Sequence, residues 1–482
     1  MAATAAAVRK QTDMISWPLA VIFTVGVGAL AASPAAGTVI LGGCVAAALI
    51  GPAQALQALA VATLIAYGNP HIIKPPPMGG VLLRFVLIAA ALRVAPTLRG
   101  SDLRLLWPVW LLSLVAILTS ILTSPAVDIS IMKAVEFFLG VTTVLVAYNH
   151  VRRSQLERLQ RSLVTLGVTV VGLSALTLFV PSIGLGKDGG IQGLLDQPQA
   201  LGIFMAPFAA WALTGTLLMR RRSTRLELWV ALALVALIIM SKARTAGFGA
   251  ALGVFVVMAG RALGKRRLGQ ATLARPILIT VLACGALLAI GAATGDVSKV
   301  VTGYLYKYNP GQKQNLQEAF YKSRGGGALS QWYDFLDKPL LGNGFGVYPD
   351  GHFPVGVQKL DGIPISAPVE KGFLPTAILQ EGGILGGITL TLLIASLCRR
   401  TWRNVDLRWR AMFIACLGIN IGECVLMSPG GIGMFDWLLL GLAMFSYRGA
   451  ITPPVRAPEV APEPGELADE AIPPHLQRLL RV

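Results

Sequence analysis

Long apolar runs recur along this chain, most of them near the length that carries a helix across a bilayer, with short polar stretches between them. The pattern predicts membrane-spanning helices near 15–33, 36–50, 53–67, 79–95, 103–122, 131–148, 161–180, 199–219, 226–241, 244–261, 276–293, 373–397, 408–427 and 431–448. Gly51-Pro52 interrupts the early pair 36–50 and 53–67, which form either a bent hairpin or one span plus a re-entrant piece. The expected fold is therefore an all-α polytopic membrane protein of about 14 (12–14) transmembrane helices. Residues 1–293 hold the first eleven spans, 294–372 a large loop domain, 373–448 the last three spans and 449–482 a tail. The loop is rich in aromatic residues, and Ala319–Asp337 has amphipathic helical character interrupted at Gly325-Gly326-Gly327, so the loop is expected to be ordered and partly helical. In the tail, prolines alternate with glutamates, and no core can form there; a disordered extension is expected.

Composition agrees with this reading. Of 482 residues, 54% are hydrophobic and only 13% charged, and the mean hydropathy is +0.66. Soluble domains carry about 25% charged residues. The net charge of +17 is explained by basic loops on one side of a membrane, so nucleic acid is not an expected partner. Arg93, Arg99 and Arg104, then Arg152, Arg153, Arg158 and Arg161, then Arg220–Arg222 and Arg225, then Arg261–Arg275, then Arg399–Arg410 fall in alternate loops. That side is read as cytoplasmic, with both termini on it. The opposite side carries the segment 181–198 and the large loop, both then periplasmic. Arg9 and Lys10 before an apolar run resemble a signal peptide, yet no small-residue cleavage site follows, so the first segment is read as a retained helix. The five cysteines show no metal-ligand spacing.

Ionisable residues within the apolar segments are not scattered. Arg84, Lys133, Glu136, Lys242, Arg244, Glu381, Glu423 and Asp436 all fall toward the predicted outer side. A charge in hydrocarbon costs roughly 3 kcal/mol or more, so such residues have partners or tasks. Lys133 and Glu136 are spaced i,i+3 and share a helix face, where they can pair. Fixed cations at a membrane boundary suit phosphate or pyrophosphate, and arginine supplies a planar fork that stays charged. No P-loop, GxSxG or HExxH occurs, no acidic motif has the form of a divalent-metal site, and neither a cofactor nor a metal is expected.

An ordered series of motifs runs through the middle of the chain. LLDQPQALG (194–202) precedes a span and SKARTAG (241–247) forms an outer turn; Ser323-Arg324, Trp332 and KPLLGNGFGVY (338–348) follow in the large loop, and LPTAILQEGGILGG (374–387) enters the next span. Over roughly 190–390 this resembles the O-antigen ligase and O-antigen polymerase superfamily of bacterial membrane glycosyltransferases. The resemblance implies a periplasm-facing enzyme of the bacterial inner membrane. It would take an undecaprenyl-pyrophosphate-linked oligosaccharide as donor and a glycan as acceptor, in the company of a flippase and a chain-length regulator. It implies that Arg244, with Lys242, and Arg324 bind the diphosphate. Gly342, Gly344 and Gly346 match the loop turn, and Glu381, Gly383 and Gly386 match E-x-G-x-x-G. Trp332 and Tyr333 would position sugars, and Arg84, Lys133 and Glu136 complete the substrate-binding set.

Many members carry a His-Asn pair before the glutamate; here those positions are Phe373 and Leu374. The candidate catalytic groups are then Glu370, His352 and Glu381. Glu370 is either a general base or a solvated loop charge paired with Lys371. The missing histidine favours an exopolysaccharide or O-antigen polymerase over an O-antigen ligase acting on a lipid acceptor. A lipid-glycan transporter or flippase, and a non-catalytic assembly scaffold, are the readings from other classes.

Overall fold

The computed structural model describes residues 16–76, 79–186, 189–218, 225–264, 325–350, 357–360, 362–366, 371–402 and 406–446. The predicted span 276–293, the loop residues 294–324 and the tail 449–482 lie outside them. The helices, in chain order, are α1 (Trp17–Ala32), α2 (Pro34–Ile50), α3 (Pro52–Ala66), α4 (Gly79–Val94), α5 (Leu103–Thr123), α6 (Val127–His150), α7 (Arg153–Leu176), α8 (Pro198–Leu218), α9 (Arg225–Met240), α10 (Arg244–Gly264), α11 (Gly326–Asp337), α12 (Leu374–Thr401), α13 (Leu407–Ile419) and α14 (Gly433–Phe445). Within the described residues, a helix occupies every predicted span. Among the described residues, six segments are long and apolar enough to cross a membrane: Gly79–Thr97, Gly100–Thr123, Val127–His150, Arg153–Phe179, Pro198–Leu218 and Leu374–Thr401. Large apolar side chains such as Val25, Val39, Ile88, Leu118, Ile121, Phe255 and Ile388 are exposed along the helices, as a lipid-facing bundle requires.

Local chemistry explains the early helices. Ser33 caps α2 by accepting from the Ala35 amide at 3.2 Å, and Pro34 and Pro52 begin their helices where a missing N–H costs nothing. Gly51 alone joins α2 to α3, so the interruption produces two separate helices. At 17 and 15 residues they are short, roughly 25 and 22 Å long at 1.5 Å per residue. The large loop contributes α11 and an antiparallel hairpin, β1 (Gln358–Leu360) and β2 (Ile363–Ser366), in the register Gln358↔Ser366, Lys359↔Pro364 and Leu360↔Ile363. This hairpin is an addition to the all-helical expectation, and it packs against α4 and α6.

The two ends of the bundle differ. At one end Asp102, fully buried, accepts from the Arg99 amide at 2.8 Å and lies 2.9 Å from His150 Nε2, while Arg408 pairs with Glu227 at 3.0 Å and stacks over Trp211. At the other end α12 is broken. Gly383 has φ 60° and ψ −156°, in the left-handed region that favours glycine. The break frees carbonyls that water cannot reach, and the loop 338–346 satisfies them. The Asn343 amide donates to Gln380 O at 2.8 Å and the Gly344 amide to Glu381 O at 3.0 Å. Across the break, the Ile384 amide donates to Pro339 O at 2.8 Å. A Cβ on Gly383 would lie 2.3 Å from Leu340 O.

Gly383→Ala is therefore expected to lower the thermal midpoint of the detergent-solubilised protein, through strain of about 1–3 kcal/mol at a left-handed position together with the clash. Gly382→Ala, whose Cβ meets nothing within 4 Å, is the control and should melt near wild type. Equal midpoints for the two variants would show that the loop does not seat in the break.

Candidate functional site

The broken helix organises a set of buried charges. Glu381, two residues before the break, pairs with Lys371 at 3.1 Å; their side chains are 4% and 2% exposed. Lys371 Nζ also donates to Val347 O at 2.7 Å and lies 5.5 Å from the Tyr348 ring centre, so the loop strand after GNGFG is tied to the same ammonium. Lys133, on α6, faces Glu381, Glu136 and Lys371. Its stem lies where a side chain on Gly346 would stand, and Gly346 has φ 68°. Glu136 pairs with Arg84 of α4 at 3.1 Å, and Arg84 also donates to Gly80 O at 2.8 Å. Arg84, Glu136, Lys133, Glu381 and Lys371 thus form one array across α4, α6, α12 and the loop.

Around the array, serines hold the loop in place. The Ser130 hydroxyl donates to Phe345 O at 2.7 Å and the Ser120 hydroxyl accepts from the Phe345 amide at 3.4 Å. Phe345 is buried and stacks at 5.9 Å on Phe137, which meets Trp437 at 6.3 Å. The face of α11 toward α12 is pinned as well. Gln331 Nε2 donates to Gly372 O at 3.2 Å, and Gln380 Nε2 donates to the Asp334 carboxylate.

A second group of residues lies at the same end. The turn 241–244 is tight: Lys242 has φ 56° and the Arg244 amide donates to Lys242 O at 3.1 Å. Thr245 Oγ1 donates to Glu423 Oε1 at 3.0 Å, and Glu423 O accepts from the Leu374 amide at 3.1 Å, so the turn is joined to the start of α12. On its other side the Ile191 amide donates to Met240 O at 3.0 Å. Asn69, fully buried, fixes this segment: its Nδ2 donates to Ile183 O at 3.0 Å and Gly193 O at 2.8 Å, and its amide to Leu194 O at 2.7 Å. Between these pieces lies a cavity of about 520 Å³, lined among others by His71, Gln192, Asp196, Gln197, Gln199 and Lys242.

The predicted residues fall into five sets. Arg84, Lys133, Glu136 and Glu381 come together in the array, and Lys242 and Arg244 form the turn beside the cavity. Trp332 and Tyr333, on α11, are 41% and 59% exposed, and Trp332 packs against Phe335 at 5.1 Å. Arg324, His352 and Glu370 lie outside the described residues. Asp436 is buried and accepts from Asn420 Nδ2 at 3.4 Å. One expectation about pairing is extended and one is revised. Glu136 faces Lys133, its i,i+3 neighbour, and also takes Arg84 from a neighbouring helix as ion-pair partner. Lys371, weighed as a solvated partner of Glu370, is buried and bound to Glu381. Sequence reasoning missed Asn69, Ser120 and Ser130; Asn69-Pro70 at the end of an apolar run was the one available turn signal.

No protein-family model matches this chain, and no curated protein matches it in sequence.

A buried ion pair has desolvation to overcome, so losing one partner costs about 3–5 kcal/mol. Lys371→Met should lower the thermal midpoint strongly, and Lys371→Met with Glu381→Met should recover part of the loss. A double variant as unstable as the two single losses added would contradict the pairing.

Proposed function

We propose that this chain is a glycosyltransferase of the bacterial inner membrane, with about fourteen spans, both termini cytoplasmic and its site facing the periplasm. It polymerises glycan units from an undecaprenyl-pyrophosphate-linked donor onto an acceptor sugar. The observation that carries this reading is convergence. The motifs at 194–202, 241–247, 338–348 and 374–387 meet at one end of the bundle: Gly202 packs against Ala243, Thr245 and Leu374 both bond to Glu423, and the Gly344 amide bonds to Glu381 O. Nothing about hydropathy alone requires them to meet.

In this reading Lys242 and Arg244 take the donor's diphosphate, with Arg324 added from the loop. The acceptor hydroxyl attacks the anomeric carbon, the bond from that carbon to the pyrophosphate oxygen breaks, and undecaprenyl pyrophosphate leaves with the electron pair. Glu370 or His352 takes the hydroxyl proton. The cations stabilise charge as it develops on the leaving group. Glu381, held by Lys371 at 3.1 Å, acts as a positioning residue that seats the loop. Trp332 and Tyr333, exposed on α11, are available to stack on the growing glycan.

One observation favours a second reading. A helix broken at Gly383 within an apolar segment is also a feature of transporters, whose discontinuous helices surround the substrate. Here the loop 339–344 fills the break, which supports the enzyme over the lipid-glycan flippase.

In cells expressing the chain, Arg244→Ala should abolish glycan polymer while the protein is still inserted in the membrane, and the purified wild-type protein should build a ladder of products that EDTA leaves unchanged. Normal polymer from Arg244→Ala, or transfer that stops without a divalent ion, would overturn the assigned roles.

A further inference from the structure

The cavity beside the turn at Lys242 has a chemistry of its own. Gln192, Gln197 and Gln199 supply amides, each able to donate and accept at once, and Asp196 and His71 add an acceptor-rich carboxylate and an imidazole. Pro70, Pro198 and Leu185 provide apolar wall between them. An anion site would be lined by cations and a cation site by carboxylates. A wall in which amides predominate matches a ligand made of hydroxyl groups, each of which is both donor and acceptor. Its volume of about 520 Å³ falls within the range of about 300–1,000 Å³ usual for small-ligand pockets.

The walls are built as well as lined. The Gly186 amide donates to Gly190 O at 2.8 Å, closing the 185–191 hairpin, and a Cβ on Gly190 would lie 2.9 Å from Ser241 O, so this hairpin lies directly against the cation turn. Asn69 fixes the base of the hairpin through Ile183, Gly193 and Leu194. Gln197 and Gln199 flank Pro198, the first residue of α8, which holds their backbone in a helix start. Among the described lining residues Lys242 is the one ammonium, beside the imidazole of His71 and uncharged or acidic groups.

We propose that this cavity is a carbohydrate subsite that receives the sugar joined directly to the donor's diphosphate, with the amides reading its hydroxyls and Lys242 marking the phosphate end. This rests on the glycosyltransferase reading and adds to it where the sugar lies: under the 185–191 hairpin, away from the array around Glu381. The subsite makes the protein selective for a glycosylated lipid over the bare lipid pyrophosphate.

The test is binding to the full-length protein in nanodiscs. One probe is the lipid-linked glycan extracted from the cells that the protein comes from, and the other is undecaprenyl pyrophosphate alone. The wild-type protein should bind the glycosylated lipid more tightly. Gln197→Ala with Gln199→Ala should weaken that binding about tenfold and leave undecaprenyl pyrophosphate unchanged. His71→Ala, at an exposed position, should move binding in the same direction and serves if the double variant does not purify as a single species. Equal affinity of the wild type for both lipids, or glycan binding that neither variant weakens, would overturn the subsite and leave the enzyme reading standing. An equal loss for both lipids would make the cavity a pyrophosphate site and also overturn it. Failure of the wild type to bind either lipid would overturn the reading and the subsite together.

Discussion

A helix that breaks inside an apolar bundle must find partners for the backbone groups it releases, because neither lipid nor packed side chains can supply them. In this protein the break at Gly383 is met by backbone from the segment 338–346. The loop can lie so close only because Gly342, Gly344 and Gly346 all adopt positive φ, with the residues between them turned inward, Phe345 among them. The rest of this end of the bundle depends on that seating. It carries Val347 and Lys371 to Glu381, brings Phe345 onto Phe137, and leaves α11 lying along α12.

The charges follow from the same constraint. Apolar side chains could fill the space around α6 and α12 without a desolvation cost, and a buried ion pair adds little net stability by itself. What an array of alternating charges supplies is register: Lys371 is held between Glu381 and Val347 O, and Arg84 against Glu136. The loop is thereby joined to α4, α6 and α12. The turn at Lys242–Arg244 is held to the same frame through Thr245 and Glu423. A positively charged turn beside a cavity, fixed to a rigid array, is an arrangement suited to an anionic, lipid-borne ligand that has to be held in one orientation.

Much of this was legible in the chain. Hydropathy located the helices because each must present an apolar surface over most of its length, and Gly51-Pro52 marked a real interruption. The charges of α4, α6 and α12 were traceable to one end because each lies a fixed number of turns from a polar boundary. Pairing between helices was not legible. Local spacing pointed Lys133 at Glu136, which it faces, but no i,i+3 rule could show that Arg84 reaches that glutamate from another helix. Lys371 looked like a loop charge because sequence around it is polar, and only the docked loop buries it. Asn69 has the same explanation: its importance lies in carbonyls more than a hundred residues away. The hairpin at 358–366 was too short to show a period-two pattern.

In the proposed reaction a donor bound by its diphosphate at Lys242 and Arg244 meets a loop held by Glu381 and Lys371, and a glycosidic bond forms as a polyprenyl pyrophosphate is expelled. The most direct test is to incubate the purified protein with lipid-linked glycan and quantify the free undecaprenyl pyrophosphate together with the glycosidic bonds formed. The account predicts one released for each new bond. Glycan moved across the membrane with its lipid pyrophosphate still attached, and none released, would contradict it.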